Sequence, residues 1–238
     1  MSVLLMRRRH VEGPVDSGLL ALYLLDEGAG QLLNDTSSSL QNATLGSTVG
    51  PDTNDPSWSA TGLTFTVDDF VQSDAAEMRP DGWTVCTAVR PTPASVAPIV
   101  GWGGTSFPAV YGAAPFNGNR PLIWLASNCF RYFETADPVD VQDGEWHFMV
   151  FRCPGNSSGD IQASSLLVDG QEQGVNSTTA STAGNAKTVF RIGTAGALYF
   201  AEMEMAFFSL HSRMLSGTES ESMRTFAKSQ LQGRVALP

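Results

Sequence analysis

The sequence of 238 residues predicts an all-β chain: an antiparallel sandwich of two packed sheets with one short helix near the C-terminus. Three observations predict this class. Short apolar runs recur from Gly18 to the end, each closed by a cluster of Gly, Pro, Asn, Asp or Ser, which is the pattern of strands and turns. The composition, 42% apolar and 16% charged with 23 Gly and 13 Pro, suits a buried core reached through many turns and excludes a coiled coil or a disordered chain. A single segment, the one after Ser216, carries apolar residues at helical spacing. The length fits one domain, since sandwiches of this size are common.

In chain order, residues 1–17 read as a basic N-terminal arm with a Gly13-Pro14 break and no hydrophobic period, and 18–238 as the folded body. The first strand is Leu19-Leu20-Ala21-Leu22-Tyr23-Leu24-Leu25, closed by the turn Asp26-Glu27-Gly28-Ala29-Gly30. Further strands are predicted at 62–65, 70–73, 83–90, 99–102, 122–125, 146–153, 165–168, 188–192 and 204–211. The 146–153 run is apolar on both faces, Trp146, Phe148 and Val150 on one and Met149, Phe151 and Cys153 on the other, so both faces should be covered. Polar stretches at 34–57 and 171–186 read as surface loops. Ser216-Gly217-Thr218-Glu219 is a capping box, and Met223, Phe226, Ala227 and Leu231 behind it would lay a helix on a sheet.

The charge balance narrows the partners. Lys plus Arg is 14 against 24 Asp plus Glu, a net charge of −10, which argues against wrapping nucleic acid or binding an anionic membrane. The opening residues place Arg7, Arg8 and Arg9 after a very short apolar run, the reverse of a secretory signal, so synthesis in a cytosol is expected. Cys86, Cys129 and Cys153 show no C-x-x-C pair and read as buried thiols. The sequons at Asn34, Asn42, Asn156 and Asn176 mark polar surface.

Four segments, in order, resemble the LamG-like, concanavalin A-like jelly-roll domains. They are the strand and acidic turn from Gly18 to Gly30 with Asn34-Asp35-Thr36-Ser37; the stretch from Gly62 through Val67-Asp68-Asp69-Phe70-Val71 to the strand ending Arg90-Pro91; Asp143-Gly144-Glu145-Trp146-His147-Phe148 with Leu166-Leu167-Val168-Asp169-Gly170; and Phe190-Arg191-Ile192-Gly193 with the closing strand running into Arg213-Met214-Leu215-Ser216. The likeness spans about 18–231 and implies a jelly roll, a fold that hosts lectins, adhesion modules, glycan hydrolases and virion proteins and so does not choose among them.

The resemblance also implies a calcium ion at a loop rim, for which Asp26, Asp35, Asp68 and Asp69 are the candidate ligands; Ala206 stands where many relatives offer an aspartate, and turn capping is the alternative role of these residues. Glycan hydrolysis would need paired carboxylates, and Glu202-Met203-Glu204 has the spacing, but the third carboxylate of the family's acidic trio is absent. His147 and His211 fit structural roles better than catalytic ones. Sugar binding needs exposed aromatics beside hydrogen-bonding groups, and the Gly- and Pro-rich segment 101–121 supplies Trp102, Tyr111 and Phe116 with Asn117, Asn119 and Arg120; the alternative is that these aromatics fold under the loop or fill a subunit interface. The expected function is a non-catalytic decoration or attachment protein on the surface of a phage particle, its arm docking through Arg7, Arg8 and Arg9 onto other virion proteins or copies of itself, with cell-surface glycans as a further partner. A free lectin-like module and a glycan-cleaving enzyme are the alternatives.

Overall fold

Turn chemistry cuts the chain into short extended pieces, and the computed structural model describes residues 15–73, 82–102, 109–113, 120–126, 129–134, 140–179, 190–195 and 199–238. The first strands are β1 (Leu19–Tyr23), β2 (Leu32–Leu33), β3 (Ala43–Leu45), β4 (Ser57–Trp58), β5 (Leu63–Phe65), β6 (Val71–Ser73) and β7 (Trp83–Pro91). The middle of the chain forms β8 (Ala97–Trp102), β9 (Ala109–Ala113), β10 (Leu122–Ala126), β11 (Cys129–Glu134) and β12 (His147–Cys153), then helix α1 (Ser158–Ala163). After it come β13 (Ser165–Val168), β14 (Gln171–Glu172), β15 (Gly174–Thr179), β16 (Phe190–Ile192), β17 (Thr194–Ala195), β18 (Tyr199–Phe200), β19 (Met203–His211) and helix α2 (Gly217–Leu231).

Two antiparallel sheets take up most of these strands. One has the spatial order β14-β13-β12-β7-β19-β5-β4, with β1 also paired to β19; the other runs β15-β11-β10-β9-β8-β16-β6-β3-β2. The nine-residue β19 serves both β5 and β1 along one side, Met203–Met205 pairing with β5 and Phe208–His211 with β1. Side chains that point between the sheets form the main core, among them Tyr23, Trp83, Trp102, Phe133, Phe151, Phe190 and Phe208. The two-faced reading of β12 is borne out: Met149, Phe151 and Cys153 enter this core, while Trp146, Phe148 and Val150 join a second cluster on the outer face of the eight-stranded sheet.

That second cluster is roofed by α2. Ser216 accepts from Glu219 N at 3.2 Å and Glu219 accepts from Ser216 N at 2.8 Å, the reciprocal capping predicted for this segment. Arg213 grips the same Glu219 through both guanidinium ends, at 3.0 and 2.6 Å. With its start fixed, the helix lays Met223, Phe226, Ala227 and Leu231 on the sheet, and Phe226 meets Phe207 edge-on at 6.2 Å.

Several expectations are corrected. The polar stretch 34–57 contains β3 and the start of β4, and 171–186 contains β14 and β15; these strands lack a readable period because they are short or built from Ser, Thr and Asn. A second helix, α1, exists because Ser157 and Asp160 form a capping box of their own around a buried Ile161. Of the predicted arm, residues 1–14, with Arg7, Arg8 and Arg9, lie outside the described residues, and Val15 is buried against the cluster beneath α2. The three cysteines are buried and form no disulfide, and burial raises the Cys86 and Cys153 thiols to about 12.

Candidate functional site: an aromatic sheet face

The outer face of the nine-stranded sheet is built by simple alternation. Along β10, Ile123 and Leu125 point into the core while Leu122 and Trp124 point out; along β11, Cys129 and Phe133 point in while Phe130 and Tyr132 point out. Cross-strand register lines the outward residues into two rows. One is Tyr111–Leu122–Tyr132 and the other Ala109–Trp124–Phe130, each taking one residue from β9, β10 and β11. The β17–β18 hairpin crosses the neighbouring β8, and a Cβ at Gly101 would lie 2.7 Å from Thr194 O, so only glycine permits that approach. The hairpin thereby brings Tyr199 onto the rows, 6.1 Å from Tyr111 and 6.3 Å from Trp124 between ring centres.

The result is an aromatic surface of Trp124, Phe130, Tyr132 and Tyr199 over the fully buried Tyr111 and Leu122. Trp124 and Phe130 are half-buried, and Leu122, Trp124, Phe130 and Tyr132 line a hollow of about 230 Å³. The alternation that turns Phe130 and Tyr132 outward places the exposed Glu134 on the same side at the end of β11. Burial, reinforced by the neighbouring phenols of Tyr199 and Tyr132, pushes the Tyr111 hydroxyl well above its ordinary range, and that hydroxyl has no hydrogen-bond partner. Burial raises Tyr132 as well. A ring-lined hollow with phenol groups beside it can stack the apolar face of a sugar or an aromatic group and hydrogen-bond at its margin.

The sequence placed a sugar-binding site on the 101–121 segment, of which residues 101–102, 109–113 and 120–121 are described, and there Trp102 and Tyr111 are buried. Trp102 points inward, packed on Trp83 at 5.8 Å with no exposed surface, because it continues the inward alternation of β8. Tyr111 is on the outward side but is covered by Tyr199 and Trp124. Phe116, Asn117 and Asn119 lie outside the described residues, and Arg120 is half-buried just before β10. Of the residues that form the surface, Trp124 lay in a predicted strand, but 129–134 was not read as one, although Phe130 and Tyr132 alternate there with inward residues.

The four candidate calcium ligands do not converge. Among the described residues no group of three or more His, Cys, Asp or Glu could hold a metal ion. Asp35 instead accepts from the backbone N of Leu22, Ser37 and Gln41 and from Ser37 Oγ, which organises the loop after β2. Asp69 accepts from Thr66 N and Oγ1, and Asp26 and Asp68 are exposed. Asp35 and Asp69 thus take the turn-capping role that was the alternative.

Glu202 and Glu204 do not form a pair of free carboxylates. Glu204, between Thr64 and Arg90 in the register, is ion-paired to Arg90 through one oxygen and accepts from Thr61 Oγ1 at 2.8 Å through the other. The Arg90 guanidinium stacks over Trp146 at 5.5 Å. The histidines at 147 and 211 are structural in position: His147 is held between Asp169 at 2.7 Å and Asp143 at 3.1 Å, and His211 is fully buried in β19, neither ring nitrogen having a hydrogen-bond partner among the described residues.

Known structures and families agree with this architecture. A botulinum neurotoxin type C structure, from work describing cell entry that depends on interaction with two ganglioside molecules, matches with a TM-score of 0.58 at 10% identity over 90% of this chain and 52% of that one. The binding domain of botulinum neurotoxin DC in complex with rat synaptotagmin II gives 0.58 at 11% identity, covering 91% and 52%. Trypanosoma rangeli sialidase in complex with sialic acid gives 0.54 at 16% identity, covering 91% and 34%. The chain therefore spans about half of the neurotoxin chains and a third of the sialidase, and at these identities the likeness is one of fold. No curated protein sequence matches. The family model Laminin_G_3 matches residues 65–219, more than half of the 238 residues, and the chain belongs to the concanavalin A-like lectin/glucanases superfamily.

Proposed function

We propose that this chain is a non-catalytic recognition module that takes neutral glycan chains on the aromatic face of its nine-stranded sheet. The observation that carries the reading is the pair of cross-strand rows, with the half-buried Trp124 and Phe130 side by side among apolar neighbours. Sugar rings present apolar C–H faces whose burial on such rings is favourable, and the net charge of −10 opposes acidic polysaccharides. The commitment of both Glu204 oxygens supports a binding role over hydrolysis.

The module is proposed to be carried on a larger assembly, a phage particle surface, through the basic arm with Arg7, Arg8 and Arg9, whose charge complements an acidic body. Other virion proteins and copies of the chain are its proposed partners there.

A glycan array and affinity electrophoresis in neutral polysaccharides test the binding. The native chain is expected to be retained, Trp124→Ala and Phe130→Ala to be released, and no reducing ends to appear. Equal retention of native and Trp124→Ala protein overturns the site, and reducing-end release abolished by Glu204→Gln overturns the non-catalytic reading. Mounting is tested by offering native protein and a chain beginning at Gly18 to particles that lack it; equal incorporation of the two overturns the arm's role.

A further inference from the structure

Buried polar groups in folded proteins are hydrogen-bonded, because a group taken out of water unpaired is costly and a charged one more so. His211 strains that rule. It is fully buried at the end of β19, and neither ring nitrogen has a hydrogen-bond partner among the described residues. Phe208 and Leu210 enter the main core, so the alternation of β19 turns His211 to the side that α2 roofs.

The surroundings of the ring offer it no anion. Thr84 of β7 pairs with His211 on one side and with Arg152 of β12 on the other, which sets all three side chains on one face. Cys86, two residues along β7, is a thiol pushed up to about 12, and Leu19 of β1 is apolar. The segment that enters α2 lies over this row: Thr84 Oγ1 donates to Arg213 O and accepts from Leu215 N, each at 2.9 Å, and a Cβ at Gly217 would lie 4.0 Å from Arg152 Nη1. Arg213 and Glu219 act on the ring with opposite signs. Both Glu219 oxygens are taken, one by Arg213 Nη2 and the other by Arg213 Nη1 and Ser216 N. Glu172 is paired to Arg152 at 3.4 Å.

We propose that His211 is an acid-sensitive latch on α2: when its ring is protonated, the first turn of the helix lifts from the sheet and uncovers the apolar face of Phe148 and Phe207. An imidazolium has two N–H donors and a charge, and here it meets two arginines and no free carboxylate oxygen. Water supplies what the charged ring needs, so part of its cover must open. β7 and β1 are bonded to β19 through their backbones and cannot move aside without breaking the sheet. Helix α2 has no such ladder; it rests on Met223, Phe226, Ala227 and Leu231 and on the cap at Ser216. It is the cover that yields. In acid the protein then presents a second apolar binding surface that it withholds at neutral pH. The latch is independent of the aromatic face and of what that face binds.

Hydrogen exchange of 217–231, corrected for the intrinsic pH dependence of exchange, and binding of anilinonaphthalene sulfonate test the latch from neutral pH to about 4. Burial and Arg213 lower His211 to about 4, so α2 protection is expected to fall about tenfold or more as pH drops from about 6.5 toward 4, with dye fluorescence rising over the same range. The amides of β7 and β12 should stay protected. Glu219, held down to about 2, keeps its charge over this range, so failure of the cap is not the cause. In His211→Asn, which takes up no proton there, α2 should stay protected and the dye unbound. If that variant does not fold, the native chain decides: NMR must show the His211 ring taking up its proton within the pH range where α2 loses protection. Constant α2 protection in the native chain, equal loss in native and His211→Asn protein, loss of β7 and β12 protection together with α2, or ring titration outside the opening range overturns the proposal.

Discussion

Both sheets of this sandwich carry a second apolar face outside the main core, and the chain treats the two differently. On the eight-stranded sheet, Phe148, Phe207 and Ala206 are sealed under α2, and Phe207 has no exposed surface. On the nine-stranded sheet, Trp124 and Phe130 have a rim of packed neighbours but remain half open. Rings of the same kind therefore serve different ends. Under the helix they contribute stability, because burial is complete; on the open face the burial is left unfinished, and a ligand or a neighbour completes it.

Truncation breaks the comparison most sharply. Phe207→Ala empties a sealed site and is expected to cost ~3–5 kcal/mol in urea unfolding, while Trp124→Ala, on the open face, is expected to cost about 1 kcal/mol or less. Equal losses at the two positions would mean that the open face is as sealed as the other.

A smaller effect tests the roof itself. Glu219 is held down to about 2, first by the hydrogen bonds from Arg213 and then by the Ser216 backbone N–H. Glu219→Ala removes half of the capping box and should cost ~1 kcal/mol. Because the folded pKa is depressed, this contribution is present at neutral pH and fades as pH falls from about 4.5 through about 2, which an acid melt of the two proteins would resolve.

The two buried histidines sharpen the contrast further, with opposite signs and the smallest changes. Burial works against a charged His147, but the hydrogen bonds its ring donates to Asp169 and Asp143 outweigh it and hold its pKa above the ordinary value. Its contribution is full below about pH 6.5 and lost as pH rises through the raised pKa. Burial, assisted by Arg213, lowers His211 to about 4, so its site under α2 favours the neutral ring and loses stability as pH falls from about 6.5 toward 4. Melting temperatures across this range should rise on acidification less steeply in His147→Gln than in the native chain, and fall less in His211→Asn. A native-like profile in either variant would remove that residue from the account.

Much of the fold was legible in the residues. The two-faced β12, the capping box at Ser216 and the helical stripe Met223, Phe226, Ala227 and Leu231 each follow from a period or a local hydrogen bond that sequence carries directly. Strands of two or three residues such as β2, β3 and β4 have no period to read, and they exist because a longer neighbour accepts their backbone bonds. The site was half legible. An aromatic run announces a surface or a core without saying which, and Trp102 and Trp124 differ only in the side of the sheet to which strand parity assigns them. The acidic loops misled for a related reason, since an aspartate that caps a turn and one that binds a cation share the same short polar surroundings.

The place of β19 has a consequence for how the molecule comes into being. This strand lies in the interior of its sheet, between β7 on one side and β5 and β1 on the other, and joins Leu19 to His211. While the chain is being synthesised, β7 with β12, β13 and β14 can form one ribbon and β4 with β5 another, and each keeps an open edge until residues 203–211 leave the ribosome. The sheet is completed by inserting a late strand, so closure is slow and long-range, and a translational pause ahead of Met203 leaves the apolar nine-residue β7 open to the wrong partner.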